Sequence, residues 1–350
     1  MKAVFFTRHG GNEVLEYGDR PDPEPGPGEA RIAVRAAAMN RLDVFVRDGI
    51  PGVPLPQIPG ADGAGIVDAV GAGVTGLAPG DRVLVQPGLY CNECEFCRAG
   101  EQSLCVAYRI VGEHAAGTFA ERAVLPRRNL FPIPAGLSFA EAAAFPLAYQ
   151  TAWRMIVGRA AVRPGETVLI HGAGGGVGTA ALEVAVLAGA RVFATTSGAD
   201  KASHARESGA EATIDYKTED VLQAVRRLTD KRGVDVVVDT VGEATWMTSL
   251  KIAAKGGRIV TCGATSGPNP KEEIRLVFWK QLSILGSTMA NDHEFRTLYA
   301  AFASGRLRPR VDRLFPFSKA AEAYRYLEEG RHHGKVVLVP DGGEAAATAV

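Results

Sequence analysis

The spacing of hydrophobic positions along the chain changes near Ala140. Before this point, apolar residues form short β-rich runs such as RIAVRAAA, GAGIVDAV and DRVLVQ, which Pro- and Gly-rich stretches interrupt. Such runs predict an irregular, mainly β domain. After it, the segment TVLIHGAGGGVGTAALEVAVLAGARVFATT predicts a buried strand, a glycine turn, an apolar helix and a second strand within one βαβ unit.

Further strands are predicted at ATIDY, VDVVVDTVG, GRIVTCG and SILGSTM, with helices that begin near Ala199, Thr218, Glu243 and Glu272. Strands that alternate with helices in this way indicate an α/β fold with a doubly wound parallel sheet of the Rossmann type. We expect this domain to cover residues 141–289, and the mainly β domain to combine residues 1–140 and 290–350. The stretch DGGEAAATAV at the end is expected to be a loose tail.

Length and charge narrow the classes of partner. The chain has 350 residues, which favours two compact units, and its Lys+Arg and Asp+Glu each total 39. No long block of one sign offers a surface for nucleic acid or membrane. The sequence also lacks a signal peptide and any apolar run of membrane-spanning length. We therefore expect a cytoplasmic protein with a small-molecule substrate and neither a nucleic-acid nor a membrane partner.

The glycine turn lies between a strand and a helix, the context in which such a turn binds a dinucleotide. Its glycines let the backbone approach a pyrophosphate, and the helix N-terminus offers free N–H groups. The alternative is a tight structural turn. The turn residues expected to contact the cofactor are Gly172, Gly174, Gly175, Gly176 and Val177.

The end of the second strand indicates which cofactor is bound. An Asp or Glu there would hold the ribose 2′-OH of NAD, but the chain has Thr195, Thr196 and Ser197 instead. With Ser197 as a donor and Lys201 as a nearby cation, NADP(H) is predicted. Lys201 can equally be a solvated helix residue.

Four cysteines follow the spacing C-x2-C-x2-C-x7-C, at Cys91, Cys94, Cys97 and Cys105. In a reducing compartment such a cluster favours a metal site over disulfides. Four thiolates complete a tetrahedron around zinc and leave no open position, so we expect one structural zinc per chain. The alternatives are an empty site or iron.

These motifs, together with APGDRVLV, HGAGGGVG, LGSTM and GKVVL, resemble the medium-chain dehydrogenase/reductase family over nearly the whole chain. The segment GETVLIHGAGGGVG is similar to the quinone oxidoreductase branch, although Glu183 stands where Gln is usual. The resemblance implies a GroES-like catalytic domain built from both chain ends, and a homodimer or homotetramer that pairs through VFWKQLSILGSTM. It also implies cofactor contacts at the nicotinamide and the 2′-phosphate, from Thr151, Gly263, Ser287 and Tyr216.

The catalytic zinc of related alcohol dehydrogenases is held by a Cys, a His and a third Cys or acidic residue. At the first two positions this chain has Asn40 and Ala61, and the third region, AAAFPLAYQTAW, lacks Cys and His. We therefore predict that catalytic zinc is absent. Asn40 would then hydrogen-bond the substrate oxygen while Asp43 orients the turn, although Asn40 can alternatively cap the following helix.

A conjugated carbonyl or a quinone spreads the charge that hydride transfer creates, so its reduction needs no Lewis acid. The predicted function is that of an NADPH-dependent oxidoreductase acting on quinones or α,β-unsaturated carbonyls. Solvent, Tyr149 or His114 would supply the proton, because Phe45 replaces a Tyr found in many relatives. The alternatives are a zinc-containing alcohol dehydrogenase and a non-catalytic NADPH-binding structural or regulatory protein.

Overall fold

The computed structural model describes residues 1–342 as two compact units. The first unit contains Met1–Leu147 and the described residues from Arg308 onward, and the second contains Ala148–Leu307. Of the tail predicted at residues 341–350, positions 343–350 lie outside the described residues. Within the described part of the chain, no helix combines the length and the apolar character needed to cross a bilayer.

The strands, in chain order, are β1 (Lys2–Phe5), β2 (Glu16–Asp19), β3 (Glu29–Ala38), β4 (Ala64–Val70), β5 (Arg82–Val85), β6 (Gly88–Leu89), β7 (Arg109–Ile110), β8 (Arg122–Pro126), β9 (Leu130–Pro132), β10 (Thr167–Ile170), β11 (Arg191–Thr196), β12 (Ala212–Asp215), β13 (Val234–Val238), β14 (Ala253–Thr261), β15 (Ser283–Gly286), β16 (Val311–Pro316) and β17 (Lys335–Val339). The helices are α1 (Arg41–Asp48), α2 (Glu95–Arg98), α3 (Phe139–Ala144), α4 (Pro146–Trp153), α5 (Gly176–Leu187), α6 (Ala199–Glu207), α7 (Val221–Leu228), α8 (Trp246–Ile252), α9 (Ile274–Lys280), α10 (Asp292–Ala303) and α11 (Ala320–Glu328). A π-helical segment, Arg154–Arg159, follows α4, and short 3-10 turns occur at Asn12–Val14, Gln102–Leu104, Arg127–Asn129 and Phe317–Lys319.

The second unit contains a six-stranded parallel sheet in the order β12-β11-β10-β13-β14-β15. This order confirms the doubly wound sheet predicted from the sequence. The central strands are apolar on both faces because helices cover both sides of such a sheet, and all four residues of β10 are buried. The strand order reverses between β10 and β13, the point at which ligands bind in open α/β sheets.

The first unit is built around a mainly antiparallel sheet in the order β16-β17-β3-β4-β5-β9, with β8 also paired to β3. The strand β3, from the N-terminal part of the chain, and β17, its last described strand, therefore share one sheet, as the predicted GroES-like domain requires. Alternating burial along β3 places Ala30, Ile32 and Val34 in the core of this unit. The pairing of β17 with the end of β3 sets Val337 opposite Ala38.

In the structure, the boundaries between the two units lie at 147/148 and 307/308, whereas the sequence predicts them at 140/141 and 289/290. The helix α10 explains the second difference. Its Phe295, Leu298 and Phe302 are buried, and Glu294 forms a 2.7 Å ion pair with Arg154 of the second unit. Apolar periodicity predicts that α10 is a helix, but it does not indicate which core the helix joins.

Candidate functional site

A buried polar cluster lies where β3 ends and β17 begins. Asn40 precedes α1, Asp62 lies in the turn before β4, and Lys335 is the first residue of β17. Pairing between β17 and the end of β3, together with a bond from Met39 N–H to the Val336 carbonyl, brings Lys335 to Asn40. The exposed fractions of the Lys335 and Asp62 side chains are 4% and 0%. The cluster therefore contains a cation and an anion that are both shielded from water.

The hydrogen bonds of the cluster use nearly all of its polar atoms. Lys335 Nζ donates to Asn40 Oδ1 and, at 3.0 Å, to Asp62 Oδ2. Asn40 Nδ2 donates to Asp62 Oδ2 at 2.9 Å and reaches the Ala38 carbonyl only at 3.4 Å. The Leu147 N–H completes the set with a 2.8 Å bond to Asp62 Oδ1. One of the two hydrogens on Asn40 Nδ2 is thus bonded only weakly and is available to a stronger acceptor.

Asn40 occupies the N-cap position of α1, as the alternative interpretation of this residue requires. Its side chain takes part in a capping box with Asp43, and it also bonds Lys335, Asp62 and Ala38 outside the helix. In the other half of this capping box, Asn40 N–H donates to Asp43 Oδ2 at 2.6 Å. The carboxamide of Asn40 is therefore directed into the polar cluster.

Asp43 is buried and ties the two turns of the cluster together. Its Oδ1 accepts the Gly60 N–H at 3.0 Å, while Oδ2 accepts the Asn40 N–H. Burial raises the pKa of Asp43 to about 7, although the Asn40 and Gly60 N–H groups and the Lys335 ammonium act to lower it. This geometry supports the predicted role of Asp43 in orienting the turn that carries Asn40.

Lys335 and Asp62 are site residues that the sequence analysis does not identify. The signal for Lys335 is a charged residue at the start of GKVVLVP, a strand in which every residue is buried. A buried lysine requires a partner. That partner is 273 positions away in the sequence, so pattern alone cannot find it. Of the proposed proton donors, Tyr149 donates to Glu183 at 2.9 Å, and burial raises its pKa well above 10.

The glycine turn of the second unit has the backbone geometry expected of a phosphate cradle. Gly172 has φ +67°, and a Cβ on Gly178 would lie 2.3 Å from the Gly172 carbonyl oxygen, so α5 packs closely on the turn. Thr195 Oγ1 accepts the Gly172 N–H at 3.0 Å, which fixes the start of the turn. The remaining turn residues, Gly174 to Val177, lead into the N-terminus of α5, which begins at Gly176.

A buried chain of hydrogen bonds joins the two loops at the point where the strand order reverses. His171 Nε2 lies 3.1 Å from Ser249 Oγ, which donates to Asp239 Oδ2 at 2.7 Å. Asp239 Oδ1 in turn accepts the N–H groups of Val241 and Gly242 at 3.0 Å. Burial lowers the pKa of His171. No sequence pattern indicates this set, which holds together the segments that follow β10 and β13.

The residues predicted to recognise the adenosine ribose end meet at the carboxyl edge of β11 and β12. Ser197 follows β11, and the Lys201 side chain lies over the turn, because a Cβ on Gly174 would be 2.7 Å from Lys201 Cδ. Tyr216 directly follows β12, and its side chain is 51% exposed. Asp215, which the sequence analysis does not name, also lies here, and its Oδ2 accepts the Gly198 N–H at 3.0 Å.

The residues predicted to lie near the nicotinamide are all placed in the second unit. Thr151 is buried on α4, and its Oγ1 lies 4.0 Å from Met289 Sδ. Gly263 accepts a bond from Thr261 Oγ1 at 3.1 Å, and Ser287 N–H donates to the Thr261 carbonyl at 2.9 Å. The hydroxyls of Ser287 and Thr196 are buried without a partner among the described residues. Unsatisfied buried hydroxyls of this kind fit a site completed by a bound polar molecule.

The four predicted metal ligands are brought together in the first unit. The sulfur atoms of Cys91, Cys94, Cys97 and Cys105 all lie within 4.8 Å of one another, close to the spacing of about 3.8 Å that Zn–S bonds of about 2.3 Å give in a tetrahedron. Backbone N–H groups of Cys97 and Val106 lower the pKa of Cys94 to about 6, whereas burial raises that of Cys97 to about 12. The cluster can therefore hold a four-coordinate metal with no open position.

Comparisons with known proteins agree with this arrangement. A family model described as "Zinc-binding dehydrogenase" matches residues 176–304, and one described as "Alcohol dehydrogenase GroES-like domain" matches residues 26–135. The chain is 34% identical to quinone oxidoreductase of Pseudomonas aeruginosa strain PAO1, with 97% of this chain and 99% of that protein covered. It is also 34% identical to acryloyl-coenzyme A reductase of Metallosphaera sedula, with the same coverage. A solved structure of an NAD-dependent alcohol dehydrogenase shares 50% identity and a TM-score of 0.94 over 97% of this chain and 99% of that one.

Proposed function

The chain belongs to the medium-chain dehydrogenase/reductase family of oxidoreductases, and within it we propose an NADPH-dependent reductase of quinones or α,β-unsaturated carbonyls that works without catalytic zinc. Its substrate is a small molecule. Similarity to the quinone oxidoreductase and to the acryloyl-coenzyme A reductase, both named for reactions at conjugated systems, supports this substrate class.

The observation that carries the proposal is the buried ammonium of Lys335. Where a zinc alcohol dehydrogenase has metal-binding Cys and His residues, this chain has Asn40 and Ala61, and Lys335 Nζ bonds both Asn40 and Asp62. A divalent ion at this place would be repelled by the ammonium and would find an amide in place of a thiolate. The polar cluster is therefore suited to stabilise negative charge with N–H donors.

The residues of the cluster act on the substrate oxygen. When bound, the reduced nicotinamide supplies a hydride from its C4 atom. The more weakly held amide hydrogen of Asn40 donates to the oxygen that gains negative charge, and the Lys335 ammonium strengthens this donor by polarising the carboxamide through Oδ1. Asp43 keeps the Asn40 turn in place through its two backbone bonds. One proton from solvent completes the reduction.

The cofactor proposal combines the glycine turn with the residues at the ends of β11 and β12. Ser197, Lys201 and Tyr216 would bind the 2′-phosphate, while Thr151, Gly263 and Ser287 would contact the nicotinamide end. The buried hydroxyl of Ser287, which has no hydrogen-bond partner among residues 1–342, supports this assignment. For the four cysteines we propose one structural zinc per chain, supported by the position of their sulfur atoms, which all lie within 4.8 Å of one another.

We also propose that two copies of the chain associate through the free edge of the parallel sheet. This edge is β15, and the preceding helix α9 has no buried residue. Ile274, Phe278 and Trp279 of α9 are exposed, with Trp279 exposed to 75%. A strand edge beside exposed apolar side chains is a surface that a homodimer covers. A homotetramer would be built from two such dimers.

The function is tested by steady-state assays with NADPH or NADH and a panel of quinones and enones, together with a zinc determination. We expect turnover with NADPH on at least one conjugated substrate, and one zinc per chain. Two zincs per chain with chelator-sensitive alcohol oxidation would instead support an alcohol dehydrogenase, a candidate that the similarity to the NAD-dependent alcohol dehydrogenase favours. Tight NADPH binding without turnover on any substrate would indicate a non-catalytic role.

A further inference from the structure

A carboxylate lies at the edge of the sheet where the ribose end of the cofactor would bind. Asp215 is the last residue of β12 and lies opposite Thr196, the last residue of β11. Its Oδ2 accepts the Gly198 N–H at 3.0 Å, and its Oδ1 accepts the Lys217 N–H at 3.0 Å. The side chain is half-buried, so its charge is only partly screened by water.

This contact changes the argument for cofactor choice. The second strand carries no acidic residue at its end, which favours NADP(H). Asp215, at the end of β12, nevertheless brings a carboxylate to the same loop. It bonds the N–H of Gly198, the residue directly after Ser197. The Asp215 carboxylate accepts the Gly198 N–H, which is the N-cap amide of α6. That N–H could otherwise bind an anion. Two opposite charges therefore lie beside this loop: the Lys201 cation on α6, which attracts a 2′-phosphate, and the Asp215 anion at the end of β12, which repels it.

We propose that Asp215 is a specificity-determining residue that weakens binding of the 2′-phosphate and so keeps NADH usable beside NADPH. The inference rests on the proposed binding of the 2′-phosphate by Ser197 and Lys201. A purely structural role for Asp215, as an acceptor that holds the 198 loop, makes a different prediction. Its loss would then weaken both cofactors, whereas the proposed role predicts a gain for NADPH.

The test compares Asp215→Asn with the unchanged protein by measuring Kd for NADPH and for NADH, through titration of cofactor fluorescence. We expect the ratio Kd(NADH)/Kd(NADPH) to rise about 3- to 10-fold at low ionic strength, since one negative charge near a phosphate is removed. The rise should shrink in 0.5 M NaCl, at which the Debye length is only about 4 Å. An unchanged ratio, or a fall, would overturn the inference.

Asp230→Asn is the matched control, because it removes the same charge from the same unit at an exposed position. Asp230 precedes β13, so it lies at the amino edge of the parallel sheet, opposite to Asp215. We expect the ratio Kd(NADH)/Kd(NADPH) of this variant to stay within about twofold of that of the unchanged protein, because solvent and salt screen a charge at that distance. An equal rise in this control would mean that net charge, and not Asp215, sets the preference.

Lys201→Ala separates this inference from the proposed function. Loss of NADPH affinity in Lys201→Ala with no effect of Asp215→Asn refutes the role of Asp215 and keeps the proposed phosphate site. No effect of Lys201→Ala on NADPH refutes the phosphate site itself. A rise in the ratio for Asp215→Asn together with a fall for Lys201→Ala supports both.

Discussion

Replacing Lys335 by Met tests the central physical claim about the polar cluster. Methionine has a similar length and is apolar, so Lys335→Met removes the ammonium while leaving little empty space. Asp62 would then be a fully buried carboxylate whose remaining donors are Asn40 Nδ2 at 2.9 Å and Leu147 N–H at 2.8 Å. The perturbation therefore leaves a charge uncompensated rather than simply deleting a contact.

The magnitude follows from the geometry of the pair. At the 3.0 Å separation of Lys335 Nζ and Asp62 Oδ2, an effective dielectric constant of about 20 gives an attraction of about 5.5 kcal/mol. Breaking a buried pair by removing one partner costs about 3–5 kcal/mol of unfolding free energy. Because two N–H donors still bond Asp62, we expect Lys335→Met to cost about 3 kcal/mol.

The assay is urea unfolding of Lys335→Met, Asp62→Asn and the double variant, with catalytic rates measured on the folded protein. The double variant should be at least about 2 kcal/mol more stable than the sum of the single losses predicts, because neither charge is left alone. Lys319→Met is the control, since it makes the same change at an exposed lysine paired with Glu322, and should cost less than about 1 kcal/mol. A loss below about 1 kcal/mol for Lys335→Met, or fully additive losses, would refute the reasoning.

Three further predictions concern the other parts of the site. Asn40→Ala should lower kcat for enone reduction about 100-fold with Kd for NADPH unchanged, and a kcat within about threefold would contradict its role as donor. Cys97→Ser should reduce the zinc content and the Tm but leave kcat of the folded protein within about twofold, because the site is closed; loss of kcat without unfolding would indicate a catalytic metal. For Asp43, the pKa of about 7 in the folded protein lies above its ordinary value of 3.8, so the folded state is stabilised by the bound proton below about pH 4, and this contribution is lost as pH rises to 7. In urea titrations, the unfolding free energy of the unchanged protein minus that of Asp43→Asn should therefore fall by about 4 kcal/mol between about pH 4 and pH 7. A difference that stays constant or grows over this range would contradict the prediction.

The elements that the sequence predicts well are those whose pattern is local. The strand, glycine turn and helix at residues 167–187 depend on neighbouring residues, and they appear where the pattern indicates. The spacing of the four cysteines likewise determines that their sulfur atoms can meet, because three of them lie within one short stretch. The domain boundaries are less well predicted, since the helix α10 is amphipathic wherever it packs.

By itself, the sequence determined the doubly wound sheet and the cysteine cluster. The tertiary structure decided which charges meet. It joins Lys335 to Asn40 across 295 positions and sets Asp215 beside the Gly198 amide across neighbouring strands. Local periodicity reports which residues are buried, but the energy of a buried charge depends on the partner that folding brings to it.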